Sequence, residues 1–299
     1  MLGLLLIPAL LGIALIVDSD DNDDDNENNT AVVDEDDQAT GESIETELTL
    51  EDDSFEGTGA NDRVADTDAS TFIDGGAGSD FIQGFGGQDT IEGGTGDDTI
   101  FAGDGDDLAA GNAGDDRVFL GDGDDSYTPE FDETADIGDD FIRGGAGDDE
   151  IVDFNGSNTI FGDGGNDIIA TFGTDGNLDP SDTVNGGAGD DAFLADNADV
   201  LTGGEGEDVF GVLDPANVDT DAVVITDFNT DEDTLVAFVP EADQSSEEIR
   251  FEFDEDENVL RALWRGDELA TLNGLTLADA ANIETFVIDA DDLIQAGVV

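Results

Sequence analysis

A nine-residue phrase recurs along the middle of the chain, and its fixed period constrains the fold more than any other feature. The phrase is Gly-Gly-x-Gly-x-Asp-x-U-x, in which U is an apolar residue. Clear copies occupy 75–83, 93–101, 144–152, 162–170, 186–194 and 203–211. A fixed period of this kind is typical of a solenoid, in which each repeat is one structural unit that stacks on its neighbours.

The repeat keeps its register over long stretches. One frame runs from 75 to 128 without slippage, a second from 135 to 170, and a third, less regular one drops a residue near Ala195 and reaches 211. Six-residue insertions at 129–134 and 171–176 separate the frames. The opening copies, 57–65 and 66–74, are degenerate, as expected of repeats that end a stack.

Each position of the phrase has a physical role. Glycine at positions 1, 2 and 4 permits a tight turn with positive φ angles, and aspartate at position 6 brings a carboxylate to that turn. The last three residues form a short strand whose middle side chain faces inward. Two phrases complete a coil of 18 residues, and successive coils stack as parallel strands. The sequence therefore predicts an all-β protein, a right-handed parallel β-roll with a C-terminal β-rich capping domain.

The apolar position U predicts the core of this roll. One inward side chain per nine residues makes a thin core, so hydrophobic burial alone is not expected to hold the coils together. The predicted core residues are Val64, Ile73, Ile82, Ile91, Ile100, Ala109, Val118, Tyr127, Ile142, Ile151, Ile160, Ile169, Val184, Phe193, Leu201 and Phe210.

The charge of the chain decides which partners suit it. The formal net charge is −74 over 299 residues, with 80 acidic residues against six basic ones and no His or Cys. Nucleic acid and anionic membrane surfaces would be repelled. The chain lacks the side chains for a zinc site, a thiolate site or a Ser-His or Cys-His catalytic pair. Carboxylate and carbonyl oxygens are instead the ligands preferred by hard cations such as Ca²⁺.

The phased aspartates are the predicted ligands of several calcium ions. An ion between turns of neighbouring coils can take oxygens from both, because stacked turns lie about one strand spacing apart. Position 6 supplies the first-rank ligands, which are Asp62, Asp80, Asp89, Asp98, Asp107, Asp116, Asp125, Asp140, Asp149, Asp167, Asp191 and Asp208, and the same rows include Asn158 and Asp182. Position 5 supplies second-rank ligands or an attractive field, from Asp97, Asp106, Asp115, Asp124, Asp139, Asp148, Asn166 and Asp190. Backbone carbonyls of Gly75, Gly93, Gly111, Gly144, Gly162 and Gly186 complete the predicted set.

The repeat block resembles the repeat-in-toxin (RTX) family of calcium-binding β-rolls, which occur in secreted bacterial proteases, lipases, toxins and adhesins. Residues 223–235 are also similar to the segment that commonly closes such rolls. The resemblance implies a bacterial protein that is exported unfolded, commonly through a type I secretion channel. Such a chain folds outside the cell, where Ca²⁺ is abundant.

The chain divides into four predicted segments. Residues 1–17 are an apolar signal or anchor segment, and the only part expected to contact a membrane; the alternative is an amphiphilic stub in a cytoplasmic protein. Residues 18–55 form an acidic disordered linker, 56–211 the β-roll and 212–299 the β-rich cap.

The functional expectation is a non-catalytic calcium-binding protein, secreted or held at the cell surface, with a structural or interaction role. No His-containing protease or lipase signature is present, so the chain is not expected to be an enzyme. The alternative is an accessory module or adhesin that binds polysaccharide or another surface ligand. An ice-binding face would need a ladder of one residue type, and the mixed outward positions argue against it.

One outward column is unusually aromatic for so acidic a chain. If the 18-residue parity survives the insertions, one sheet presents Gln83, Phe101, Phe119, Arg143, Phe161 and Asn185, with Phe81 and Phe141 nearby. The opposite sheet presents Glu92, Ala110, Thr128, Val152, Ala170 and Leu194. Scattered surface aromatics are one interpretation. The other is that the aromatic sheet is covered by the C-terminal cap or by a partner such as a second copy.

Overall fold

The computed structural model describes residues 44–47, 54–66, 70–128, 138–171, 180–196, 198–213, 221–239 and 249–289. The predictions for 1–17 and for most of 18–55 fall outside these ranges. Within them, no helix is both long and apolar enough to cross a membrane.

The described chain folds into two long, mainly parallel sheets, and consecutive strands alternate between them up to β20. The first sheet contains, in spatial order, β1 (Ile44–Glu47), β3 (Asp62–Ala65), β5 (Phe81–Gly86), β7 (Thr99–Asp104), β9 (Arg117–Asp122), β11 (Phe141–Ala146), β13 (Thr159–Gly164), β15 (Thr183–Ala188), β17 (Val200–Glu205), β19 (Val223–Ile225), β23 (Asp267–Asn273), β22 (Val259–Trp264) and β21 (Arg250–Asp254). The second contains β2 (Ser54–Thr58), β4 (Phe72–Gly76), β6 (Thr90–Thr95), β8 (Leu108–Ala113), β10 (Ser126–Tyr127), β12 (Glu150–Asp153), β14 (Ile168–Thr171), β16 (Ala192–Ala195), β18 (Val209–Leu213), β20 (Thr234–Val239) and β24 (Glu284–Asp289). This is the predicted all-β parallel roll.

The strand register confirms the 18-residue coil. Ile82 pairs with Ile100, and Ile100 with Val118, each 18 residues further along the chain. Across the first insertion the step grows by the inserted six residues, so Val118 pairs with Ile142. The parity therefore survives, and Gln83, Phe101, Phe119, Arg143, Phe161 and Asn185 share one outward column as predicted.

The core lies between the two sheets and contains every residue predicted from position U. Most of these side chains are completely buried, including Tyr127 and Phe210. Position 1 contributes Ala102 and Leu120 to the core in two repeats where it is apolar. Within the repeat block the core consists of two facing columns of apolar side chains, one from each sheet, as the period predicts.

The glycines of the turn differ in what they require. Positions 2 and 4 adopt positive φ, as Gly94 (107°) and Gly96 (121°) show, and a Cβ on either would meet the backbone of the preceding coil. Position 1 does not, although the repeat pattern predicts the same role for it: Gly93 is absent from the positive-φ residues of the described chain. At Gly93, glycine is favoured because a Cβ would collide with the Oδ2 atom of Asp98.

Ordered strands extend beyond both ends of the repeat block. At the N-terminal end β1 pairs with β3, within the segment predicted as linker. At the C-terminal end β19 and β20 continue the two parallel sheets past residue 211. Strands β21, β22 and β23 then pair antiparallel and extend the first sheet, and a short 3-10 helix (Ala280–Asn282) precedes β24.

Candidate metal centre

Two rows of position-6 residues run along the two edges of the roll, where each coil turns from one sheet to the other. The first row contains Asp62, Asp80, Asp98, Asp116, Asp140, Asn158, Asp182 and Asp199. The second contains Thr71, Asp89, Asp107, Asp125, Asp149, Asp167, Asp191, Asp208 and Asp233. The structure brings all twelve predicted first-rank aspartates into these rows, and each is buried. Buried carboxylates are costly unless a hydrogen bond or a cation compensates them.

One oxygen of each row carboxylate joins successive coils. The backbone N–H of Asp80 donates to Oδ1 of Asp98 at 2.7 Å, and the N–H of Asp98 donates to Oδ1 of Asp116 at 2.7 Å. The N–H of Asp116 donates to Oδ1 of Asp140 at 2.8 Å, so the relay crosses the first insertion. The second row repeats it, for example from Asp89 to Asp107 at 2.8 Å. The aspartates therefore also align the stack.

The other oxygen of most row carboxylates is buried and has no hydrogen-bond partner. This holds for Oδ2 of Asp80, Asp89, Asp98, Asp107, Asp125, Asp149, Asp167, Asp182 and Asp191. Desolvated anionic oxygens without a hydrogen-bond partner are rare in folded proteins, and their charge has to be compensated by a cation or by water.

The unpartnered oxygen faces a small gap above position 1 of its own repeat. A Cβ built on Gly93 would lie 2.5 Å from Oδ2 of Asp98 and 2.8 Å from the carbonyl oxygen of Gly111 in the next coil. A Cβ on Gly75 would lie 2.8 Å from Oδ2 of Asp80 and 2.5 Å from the carbonyl oxygen of Gly93. Each gap is thus lined by a carboxylate oxygen and a carbonyl oxygen, the donor types that Ca²⁺ prefers.

The raised pKa values of the row carboxylates also indicate that these groups need a compensating positive charge when they are ionised. Burial raises the pKa of Asp98 to about 7 and that of Asp149 to about 8, partly opposed by the backbone hydrogen bond from the preceding row residue. Neighbouring carboxylates raise both pKa values further. In the described residues no three acidic side chains converge on one point. Since Ca²⁺ takes six to eight oxygens, backbone carbonyls and water have to complete its coordination.

The position-5 residues lie on the rim and make a second hydrogen-bond ladder. All eight predicted second-rank residues are exposed. Their Oδ1 atoms accept a backbone N–H from the following coil, as Asp124 does from Asp148 at 2.9 Å and Asn166 does from Asp190 at 2.8 Å. This direction is opposite to that of the position-6 relay. The position-5 side chains therefore hold the turns together from outside the gaps.

Four members of the first row depart from the general pattern. One is Asp199, whose Oδ2 accepts the hydroxyl of Thr171 at 3.2 Å and the backbone N–H of Asp196 at 3.1 Å. Oδ2 of Asp62 accepts hydrogen bonds from the backbone N–H and the hydroxyl of Thr58, at 2.7 and 2.9 Å. Oδ2 of Asp140 accepts the hydroxyl of Tyr127 at 3.3 Å. The amide of Asn158 donates to a carbonyl oxygen at 3.2 Å. These positions offer no open carboxylate oxygen of the kind found in Asp98.

The structure adds two row residues that the repeat pattern did not predict. Asp199 continues the first row, and burial raises its pKa to about 9. Asp233 ends the second row, with its two oxygens accepting the N–H groups of Asp208 and Asn229. Each lies two residues before a buried apolar residue, Leu201 or Leu235, so a search for the pattern Asp-x-U alone would have predicted both. The full nine-residue phrase did not, because the glycines of the repeat are absent at these two sites.

Comparison with known proteins identifies the repeat. The family model of the RTX calcium-binding nonapeptide repeat matches residues 67–100, 92–127, 134–169, 181–198 and 195–210. The block is an array of RTX repeats. RTX repeats bind multiple Ca²⁺ ions, and the carboxylate- and carbonyl-lined gaps of this roll fit that cation.

One solved structure that matches the chain is the extracellular lipase LipA from Serratia marcescens. The two are 20% identical, and the match covers 77% of this chain and 40% of that chain with a TM-score of 0.24. This chain therefore spans less than half of the lipase. No curated protein matches the chain.

Proposed function

We propose that the chain is a secreted or surface-held, non-catalytic protein of a bacterium, and that it folds outside the cell when Ca²⁺ fills the gaps between its turns. The observation that carries this proposal is the set of buried Oδ2 atoms without a partner. Bound Ca²⁺ supplies the positive charge that compensates these oxygens. The row aspartates with an open Oδ2 and the position-1 carbonyls of the next coil are the proposed ligands. Exposed position-5 carboxylates contribute an attractive field.

Folding that depends on the metal follows from the energetics of the roll. The core of the repeat block is only two columns of side chains wide, and a chain of −74 formal charge repels itself. Calcium binds the folded gaps and finds no such site in the unfolded chain, so its binding free energy becomes folding free energy. Circular dichroism of the full chain should show little β structure in excess chelator and a steep gain on addition of millimolar Ca²⁺. Mg²⁺ should substitute poorly, because it demands a smaller, more rigid site. A spectrum already β-rich in excess chelator would contradict the proposal.

The non-catalytic role is supported by the residue types of the chain. It contains no His and no Cys, so it lacks the usual general base and the thiol nucleophile of hydrolases. The two rows bury their carboxylates in narrow gaps between stacked turns, where a substrate has no access. Activity assays of the calcium-loaded chain on esters, peptides and glycosides should be negative.

An interaction role is supported by the outer face of the first sheet. Five phenylalanines form a continuous ladder across successive strands, with ring centroids 4.8 to 5.7 Å apart; they are Phe81, Phe101, Phe119, Phe141 and Phe161. Phe101 remains 36% exposed, and the described C-terminal strands extend the end of the sheet, not its face. Three of the six arginines, Arg63, Arg117 and Arg143, share this face. In the first-sheet strands from β3 to β19, neither residue flanking position U is acidic.

We propose that this aromatic face binds a second copy of the chain. The rings of Phe101 and Phe119 are stacked at 6°, so their faces are turned toward each other and not toward a sugar ring, which disfavours polysaccharide. The positions that flank U on this face carry no acid, and Asp163 of β13 is paired with Arg143, so two strongly acidic molecules can approach here. The nine strands from β3 to β19 lie about 4.8 Å apart and contain three to six residues each, which gives a face of roughly 750 Å², close to the ~800 Å² per partner of a standard interface.

A matched pair of variants tests this interface. Thr99 and Thr90 are both half-buried and precede position U on the first and second sheets, and Glu150 shows that an acid is tolerated there. In saturating Ca²⁺, sedimentation equilibrium should give a dimer for the native chain and for Thr90→Glu. Thr99→Glu should weaken the dimer about 100-fold or more, because each copy buries an unpaired carboxylate. A monomeric native chain, or equal association of the two variants, would refute the interface. It would also be refuted if Thr99→Glu abolished binding of a polysaccharide while the molecular mass measured by sedimentation stayed the same.

A further inference from the structure

In two repeats whose positions 1 and 6 are both described, position 6 lacks a carboxylate and position 1 carries one instead. Thr71 occupies position 6 of repeat 66–74, in which position 1 is Asp66. Asn158 occupies position 6 of repeat 153–161, in which position 1 is Asp153. In the other described repeats up to 211 position 6 is aspartate, and position 1 is not. Each of these two repeats therefore keeps one carboxylate, at position 1 and not at position 6.

The geometry of the turn explains how the exchange works. A Cβ on position 1 points to the spot that Oδ2 of the position-6 aspartate occupies, 2.6 Å away between Gly84 and Asp89. Asp66 lies one coil before Gly84, because its N–H donates to the carbonyl of Gln83 at 2.8 Å. A side chain at Asp66 therefore starts in the gap where the missing oxygen would lie.

Asp66 has the environment of an open row carboxylate. It is 6% exposed, and neither of its oxygens has a hydrogen-bond partner. It also lies close enough to Asp89 for its charge to contribute to the raised pKa of that residue, although burial is the larger cause. A buried carboxylate in which neither oxygen has a hydrogen-bond partner needs a cation more than a row carboxylate whose Oδ1 accepts a backbone N–H.

Space alone does not explain aspartate at position 1. Ala102 and Leu120 occupy the same position in other repeats and are fully buried there, so an apolar side chain can replace glycine in some of the turns. An apolar side chain would avoid the desolvation of a charge. Asp153 repeats the exchange and is completely buried. We infer that Asp66 is a calcium ligand, which supplies from position 1 the carboxylate that Thr71 does not provide.

The inference rests on the proposed filling of the gaps by Ca²⁺, and native mass spectrometry of the calcium-loaded full chain tests it separately. Asp66→Ala should bind one Ca²⁺ fewer than the native chain and need more Ca²⁺ for half-maximal folding. The double variant Asp66→Gly, Thr71→Asp rebuilds a regular repeat and should restore the ion. Asp74→Ala removes the same charge from the outward position of that repeat and should leave the count unchanged.

The ion counts distinguish a failure at Asp66 from a failure of the proposed function. An unchanged ion count in Asp66→Ala, or a double variant that still lacks the ion, overturns the inference. Asp98→Ala serves as the reference for the regular rows and should also lose bound Ca²⁺. If Asp98→Ala keeps every ion, the proposed filling of the rows fails; if it loses calcium while Asp66→Ala does not, this inference alone fails.

Discussion

At the scale of the residue, one aspartate carries out two tasks with its two oxygens. Oδ1 of Asp98 accepts the N–H of Asp80 and so fixes the stacking of one coil on the next. Oδ2 faces the gap beside Gly93. The repeat predicts that position 6 is a ligand, but it does not reveal that half of the carboxylate is already used by the backbone. That division depends on the strand register, which places Asp80 and Asp98 in adjacent coils.

The division predicts unequal effects of aspartate removal along one row. Asp98→Ala should raise the Ca²⁺ concentration for half-maximal folding several-fold, because it removes both a relay acceptor and an open ligand oxygen. Asp62→Ala should have a much smaller effect, since both of its oxygens are engaged by Thr58 at the end of the row. Calcium titration followed by circular dichroism measures both midpoints. Equal shifts in the two variants would show that open and engaged carboxylates do not differ.

At the scale of the element, the strands were predictable and the ends of the roll were not. Alternation around position U predicts the inward residues and both outward columns, because a period of nine fixes the parity of every strand. The sequence did not predict that β1 joins the first sheet, or that β19 and β20 continue the roll after the glycines stop. Those strands are recruited by backbone hydrogen bonds to an open sheet edge, which needs no repeat phrase.

The turn yields a prediction about position 1. Gly93→Ala places a methyl group between Oδ2 of Asp98 and the carbonyl of Gly111, at 2.5 and 2.8 Å from them. The variant should therefore lose about 1–3 kcal/mol of stability in saturating Ca²⁺ and bind the ion in that gap more weakly. Gly59→Ala is the control, because a Cβ there meets nothing within 4 Å. Urea unfolding measures the difference, and a Gly93→Ala variant as stable as Gly59→Ala would mean that the gap is wider than the structure shows.

At the scale of the whole molecule, the roll is a stack of buried carboxylates with a thin apolar core. The net charge disfavours nucleic acid and anionic membranes as partners, and the lack of His and Cys leaves no side chains for a thiolate site or for a Ser-His or Cys-His pair. Composition does not reveal how strongly the row carboxylates are desolvated in the folded chain. Burial raises the pKa of Asp80 to about 6, of Asp98 to about 7 and of Asp149 to about 8, against an ordinary value of 3.8. This depends on how closely the turns stack, which no single repeat encodes.

The raised pKa values predict an unusual pH dependence for the metal-free chain. Well above pH 9, beyond the pKa of Asp199, the row carboxylates are charged in both states, and the folded state bears the whole cost of their burial. As pH falls from 8 toward 5, the metal-free roll takes up protons that the unfolded chain, with a pKa near 3.8, does not yet bind. Folding without calcium should therefore become more favourable toward acid, whereas proteins with lowered carboxylate pKa values lose stability there.

Circular dichroism on exhaustively calcium-depleted protein should show more β structure at pH 5 than at pH 8. Calcium-loaded protein should behave in the opposite sense, because protons compete with Ca²⁺ for the same oxygens and acidification raises the calcium midpoint. Asp98→Asn serves as a control, since its amide does not titrate and it should shift less with pH than the native chain. If the metal-free chain is least folded at pH 5, the row carboxylates are better solvated than their burial indicates.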